Sequence, residues 1–327
     1  MEKSVVLDIL KEFGINDYTE KNEIDSSLDD DYRLNIVIDK KYVLRINNDI
    51  ITEERLASID RLTERYREIG VLAPRLYKTI SGSYSIKHGD HICYVSEYLD
   101  YPSWRDLETE ADADVIYSEV MKSIGRLANK YTDVDLSPVN SMWSLIDLSP
   151  IDVDIDEKQD NLNTLIEGLK DIGEDKLAKE IESFNEETRA RIGKVYKNLP
   201  RCVIQGDLNA SNIMVDKGHF VGLIDFNMAG TEVNVNNFCC ETNCGWFAED
   251  FDSKAADTLY DDWVKEQNDW LEVVLSEYTL NDLEKSVIDD YRRICRISLY
   301  PNVMNYLEFL EKDKEKAVRF LRRIIAG

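Results

Sequence analysis

Basic charge is what this sequence is short of. Forty Lys and Arg stand against 65 Asp and Glu, a formal net charge of −25 over 327 residues. Nucleic acid is therefore not an expected partner, because a phosphate-backbone footprint needs clustered Lys and Arg. Histidine is scarcer still, with only His88, His91 and His219. A two-metal hydrolase is hard to assemble from so few imidazoles. Six prolines and fourteen glycines are scattered along the chain and form no linker or low-complexity tract. No stretch approaches the roughly 18 consecutive apolar residues of a membrane span, so no membrane is expected as a partner. The N-terminal run Met1 to Asp17 has acids inside its apolar stretch, unlike the core of a secretion signal. Its Val6, Leu10 and Phe13 share one helical face that Gly14 ends.

What is present is a globular composition. Hydrophobic residues make up 43% and aromatics 9%, which excludes wholesale disorder. A prior of about 150 residues per domain gives roughly two domains. The six cysteines are expected to be reduced thiols in a cytoplasm. Cys239-Cys240-x-x-x-Cys244 has no histidine nearby, and a structural zinc site needs four ligands, so buried or edge thiols are the expectation.

Two regions differ in pattern. From about residue 20 to 100 the residues alternate. Arg33 to Asp39 and Lys40 to Ile46 predict a hairpin turning near Asp39-Lys40. A helix follows, with Thr52 as N-cap, Glu53 and Glu54 in its first turn, and an apolar stripe from Leu56 to Ile69 closed by Gly70. Ser83–Ile86 and His91–Leu99 add strands. From about residue 112 helical stripes dominate: Val115 to Tyr131, Leu162 to Leu169, Leu177 to Phe184, Trp263 to Val274 and Leu283 to Ile294.

One β island, Arg201 to Phe226, interrupts the helices and carries the chemistry. Val203-Ile204 predicts a short strand opening into a polar loop, Gln205 to Asn212. Ile213–Asp216 and His219–Ile224 predict strands joined by the two-residue turn Lys217-Gly218. That turn pairs Asp216 with His219 and Asn212 with Leu223, so Asp225 falls two residues past the partner of Asn212. Paired strands lie about 4.8 Å apart, which brings Asn212, Asp225 and the loop residue Asp207 within reach of one ion. Oxygen ligands of this kind suit Mg²⁺, which binds through one or two carboxylates plus substrate phosphates. Asp207-x-x-x-x-Asn212 also has the spacing of a kinase catalytic loop.

Gln205-Gly-Asp-Leu-Asn-Ala-Ser-Asn-Ile-Met-Val-Asp216, followed by Leu223-Ile-Asp-Phe226, resembles the aminoglycoside phosphotransferase/choline kinase family of small-molecule kinases. The resemblance implies an α+β, bilobal, protein-kinase-like fold. Residues 1–99 would form a small antiparallel β lobe that binds nucleotide, and residues 100–327 a mainly helical lobe for catalysis and acceptor binding. By the same resemblance Asp207 is the catalytic base, and Asn212 and Asp225 are the Mg²⁺ ligands. Arg45, in Tyr42-Val-Leu-Arg-Ile46, stands where the family has a phosphate-contacting basic residue, usually Lys. Its acidic partner is expected early in the next helix, Glu54 rather than Glu53. Ser96 and Tyr98 occupy the segment that would bind adenine. Gln205 replaces a common His and would brace the loop, since a Gln amide both donates and accepts. No Gly-rich phosphate loop is present; Asn22 to Asp31 stands in its place.

The expected cofactors are ATP, with GTP as an alternative, and Mg²⁺. The expected acceptor is a hydroxyl on a small molecule. The acidic balance points to a cationic one, an aminoglycoside first and a choline-like amine second, with a choline/ethanolamine-like or sugar/amino-alcohol kinase as the alternative. Glu232, Asn237 and Glu241 are acceptor candidates by chain proximity alone. A kinase-like binding module without turnover is the competing expectation. A paired-carboxylate glycosidase would leave Asn212 and the basic strand without a role.

Overall fold

Local sequence signals account for most of the first hundred residues. The computed structural model describes residues 1–27, 32–48, 51–107, 113–243 and 245–327, the side chains of 245 and 246 excepted. Helix α1 (Lys3–Glu12) buries Val6, Ile9 and Leu10 and stops where Gly14 takes φ +76°. It shares a core with three strands, β2 (Arg33–Ile38), β3 (Tyr42–Asn47) and β6 (His91–Glu97). With β1 (Lys21–Asp25), β4 (Leu76–Tyr77) and β5 (Ser85–His88) they form an antiparallel sheet in the order β1-β2-β3-β6-β4, with β5 on β6. The expected hairpin is there: Asp39 and Lys40 both take φ +49°, the left-handed pair that a two-residue turn requires. Alternation then buries Leu34, Ile36 and Ile38 on β2 opposite Leu44 and Ile46 on β3.

Helix α2 (Glu53–Glu68) begins as its sequence predicts. The Thr52 hydroxyl accepts from Arg55 N at 3.2 Å, and Leu56, Ile59, Leu62 and Tyr66 are buried. Glu53 also ties its first turn to β5, accepting from Tyr84 N (2.8 Å) and from Ser85 N (2.9 Å). Two-residue β4 gave no alternation long enough to read in the sequence.

The island contains three strands, β7 (Arg201–Ile204), β8 (Ile213–Asp216) and β9 (His219–Leu223), and a fourth, β10 (Gly230–Val233), follows it. β8 and β9 form one antiparallel pair, and β7 and β10 another. Every residue of β10 is buried, so it shows none of the alternation by which a half-exposed strand is recognised. The remaining elements are helices: α3 (Ala113–Tyr131), α4 (Glu157–Asp171), α5 (Asp175–Gly193), α6 (Asn234–Glu241), α7 (Ala256–Leu275), α8 (Asp282–Ser298), α9 (Tyr300–Lys312) and α10 (Lys314–Ala326). Their stripes face inward as expected, except that Val115 and Leu283 are 43% and 37% exposed. Both lie in the first turn of their helices, ahead of the packed stretch.

The chain divides into two compact units, residues 1–116 with 207–227 and residues 117–206 with 228–327. The first is the sheet unit; the second is helical and encloses two apolar cores, one around Trp263, Tyr306 and Phe320, the other around Val233, Tyr291 and Ile294. Among the described residues no helix is long and apolar enough to cross a membrane.

Candidate active site

The hairpin β8–β9 differs from its expected register by one residue. Asp216 faces His219 and Val215 faces Phe220, but Met214 faces Gly222 and Ile213 faces Leu223. At the bulge β9 meets a second backbone: Gly222 lies against residue 72, where a Cβ would meet Leu72 O at 2.6 Å, and Leu72 N donates to Val221 O at 2.8 Å. Asn212 therefore accepts through its carbonyl from Ile224 N (2.9 Å), and Asp225 lies one residue past this partner rather than two.

The hairpin and the preceding loop place the acidic groups. Asn212 Nδ2 donates to Asp207 Oδ2 at 2.8 Å and to Asp207 O at 3.0 Å, and Asn209 Nδ2 donates to Asp207 Oδ1 at 2.7 Å. Burial pushes the Asp207 carboxyl above its ordinary value; the Asn209 and Asn212 bonds oppose that shift, and the nearby charge of Asp225 adds to it. Arg45 Nη1 donates to Asp225 Oδ1 at 3.1 Å. Burial works against the Arg45 charge, but Asp225 and Tyr94 more than offset it and raise its pKa.

Asp207, Asn212, Asp225 and Arg45 thus lie in one unit. Glu54 does not join them: it is exposed on α2, and the carboxylate that meets Arg45 is Asp225. A small recess of about 20 Å³ adjoins the pair. Arg45, Tyr94, Ser96, Asp225, Phe226 and Asn227 are among its walls, and α2 contributes Ile59 and Thr63. Ser96 is buried on this wall. Tyr98 N donates to Lys41 O and Glu97 N to Arg75 O, so these two backbone donors are already engaged. The sequence offered no sign of Tyr94 or Asn227, since one reads as core strand and the other as a turn residue.

The donor set fits Mg²⁺. Asn212 bonds through its amide nitrogen, which leaves the amide oxygen as the atom for a cation. The charge of Asp225 opposes ionisation of Asp207, an environment that a hard dication relieves. Among the described residues no three His, Cys, Asp or Glu side chains could hold a metal by themselves. Mg²⁺ does not require that, because phosphates and waters complete its shell.

In the helical unit Gln205 is fully buried. The next residue, Gly206, takes φ +80°, and a Cβ there would meet Met228 O at 2.6 Å; its carbonyl accepts from Trp143 Nε1. Glu232 is 1% exposed, accepting from Ser144 Oγ (3.0 Å) and Val233 N (2.7 Å). Burial raises its pKa, and the buried Lys158 ammonium pulls the other way. Asn237 is buried on α6, and Glu241, at the end of that helix, accepts from Tyr117 OH through its carbonyl at 2.7 Å. Cys239 and Cys240 are free thiols, with Cys240 Sγ 3.7 Å from Cys295 Sγ. Cys244 and residues 28–31 of the first hairpin lie outside the described residues.

Residues 23–233 match the sequence profile of a phosphotransferase enzyme family. No curated protein sequence matches. Among solved structures, the chain is similar to a spectinomycin phosphotransferase in complex with ADP and spectinomycin, at 12% identity and TM-score 0.54 over 100% of this chain and 97% of that one. An amicoumacin kinase in complex with AMP-PNP and Ca²⁺ matches at 12% identity and TM-score 0.53, over 100% and 94%. An aminoglycoside phosphotransferase with ADP and hygromycin B matches at 12% identity and TM-score 0.51, over 99% and 98%. At this identity the solved structures establish the α+β fold, an antiparallel-sheet part and a helical part, as the sequence led us to expect.

Proposed function

The chain belongs to the phosphotransferase enzyme family, and we propose that Asp207, Asn212 and Asp225 are the chemical centre of a Mg²⁺-dependent kinase acting on a small-molecule hydroxyl. It is a small-molecule phosphotransferase that binds nucleotide; the residue roles and the acceptor are our reading. Residues 1–99 are assigned to the nucleotide and the remainder to catalysis and the acceptor. One observation carries the assignment: Asp207, buried enough to be raised in pKa, sits beside Asp225 with Asn212 bonded to it.

In this reading Asp207 orients the acceptor hydroxyl and takes its proton as the oxygen attacks the terminal phosphoryl group of ATP. Its raised pKa moves it toward the range where a base works efficiently. Asn212 through its amide oxygen and Asp225 through its carboxylate hold Mg²⁺, which, when bound, neutralises charge on the transferring group. Arg45 offers its guanidinium fork to the phosphates. Ser96 contributes a wall near the base rather than a backbone donor, with Tyr98 beside it, and Gln205 braces the loop ahead of Asp207. Of the acceptor candidates, Glu241 and Asn237 are kept. Glu232 is assigned to the packing of the helical unit, where its carboxylate is already engaged. A cationic acceptor, an aminoglycoside class first and an amino-alcohol class second, is favoured by the net charge of −25.

The test is ATP consumption with and without Mg²⁺ across aminoglycosides, choline, amino alcohols and neutral sugars, beside a thermal-shift screen with AMP-PNP. Metal-dependent turnover with at least one acceptor is expected. Nucleotide binding with no turnover on any acceptor, in a protein whose Asp207→Asn variant behaves identically, would establish a binding module instead.

A further inference from the structure

The stretch Asp225-Phe226-Asn227 is held by more than the ion pair at its first residue. Asp225 takes φ +57°, a left-handed conformation that Asp tolerates better than most side chains, and its surroundings here hold it there. Three elements do so. From β3, Arg45 donates to the Asp225 carboxylate at 3.1 Å. From α2, Tyr66 meets Phe226 edge-on at 5.6 Å between ring centroids, and Arg55 Nη2 donates to Asn227 O. From β6, the buried Tyr94 hydroxyl donates to Asn227 Oδ1 at 2.8 Å. Tyr94 is the register partner of Arg45 across β3 and β6, which brings both ends of the stretch to one place in the sheet. Asn227 is thus gripped at its carbonyl and at its side chain, from two different elements.

We propose that Tyr94 and Arg55, acting through Asn227, are positioning residues that hold the Asp225 carboxylate in its metal-binding orientation. The inference rests on the reading of Asp225 as a Mg²⁺ ligand. Neither residue needs to touch nucleotide, acceptor or metal. Releasing Asn227 lets the left-handed turn at Asp225 relax, and the carboxylate then remains present but misdirected. Such a loss is selective: the Mg²⁺-dependent part of nucleotide affinity falls, and the metal-independent part does not. The two arms are separable because they reach Asn227 from different elements and at different atoms, Arg55 at the carbonyl and Tyr94 at the side chain.

The experiment is calorimetric titration of AMP-PNP, with Mg²⁺ and with chelator, into the full-length parent and the variants Tyr94→Phe, Arg55→Gln, Arg55→Lys, Asn227→Ser and Asp225→Asn, each first checked by thermal melting. Tyr94→Phe and Arg55→Gln should lower the Mg²⁺-dependent gain in affinity fivefold or more while leaving metal-free affinity within twofold. Arg55→Lys, which keeps a donor, should recover most of the gain. Asn227→Ser provides the same reading should Tyr94→Phe melt early. If both arms keep the parental gain while Asp225→Asn loses it, the positioning role is overturned and the ligand assignment survives. Equal losses with and without metal would mark Tyr94 and Arg55 as packing residues and also overturn the proposal. Should Asp225→Asn itself keep the full gain, the ligand assignment beneath the inference fails.

Discussion

Asp207 and Asp225 are one residue type in two environments, and their variants should part accordingly. Asp207 is half-buried and held by two amide nitrogens; Asp225, also half-buried, is paired with Arg45. Asp207→Asn should lower kcat by roughly 10²–10⁴-fold with Mg·ATP affinity within a few-fold, because proton transfer belongs to the transition state. Asp225→Asn should weaken Mg·ATP binding together with turnover. The pH profile adds a sign. A carboxyl raised above the ordinary aspartate pKa of about 3.9 is fully a base only above its raised value. The acid limb of kcat/KM should therefore inflect above the ordinary aspartate range, with activity rising through it. Linkage runs the other way for stability: a raised acid pKa means that ionisation on folding carries a cost, incurred as pH climbs from the unfolded to the folded value. Asp207→Asn should accordingly melt no lower than the parent at pH 7. A lower melting temperature, or a limb unchanged by the substitution, would remove Asp207 from the base role.

Two elements set the position of these residues, and each has a weak point of known size. The β8–β9 hairpin carries its bulge beside Gly222, and a methyl there would enter the backbone and Cβ of Leu72 at 2.6 and 2.8 Å. Gly222→Ala should cost about 1–3 kcal/mol, the usual range for an overpacked contact. Because the bulge decides how far Asp225 lies from the partner of Asn212, activity should fall by more than stability alone explains. Denaturant midpoints beside steady-state rates measure both, and a variant that is destabilised yet keeps full specific activity would show that the bulge does not aim Asp225. Helix α2 is anchored at its start by Thr52 and Glu53. Loss of the cap in Thr52→Ala should cost about 1 kcal/mol, read from the same denaturant curves.

At the scale of the whole molecule the dominant property is charge. With 65 acidic and 40 basic residues, the summed field attracts cations and repels anions over distances that salt controls. The Debye length falls from about 10 Å at 0.1 M to about 3 Å at 1 M ionic strength. For a cationic acceptor kcat/KM should fall markedly with added KCl, while kcat at saturation changes little. Indifference of kcat/KM to salt, or a preference for a neutral acceptor, would confine the acidity to solubility.

Periodicity and turn chemistry are local, so the sequence alone determined what depends on them. The α1 and α2 stripes, the hairpin at Asp39-Lys40, and the loop and hairpin of the island with Asp207, Asn212 and Asp225 at their spacing were all legible. Tertiary structure decided whatever depends on an approach from elsewhere in the chain. The one-residue bulge lies where Gly222 passes the Leu72 backbone, and no spacing within 213–225 records it. Arg45 found its carboxylate on the island rather than at Glu54, because the turns of α2 at the recess present Ile59 and Thr63. Strands β4 and β10 were missed because one is two residues long and the other is buried on every residue, so neither shows the period of a half-exposed strand. The grip on Asn227 joins residues 172 and 133 positions distant in sequence. A carboxylate's identity is written in the chain; its orientation is set by the neighbours that folding brings to it.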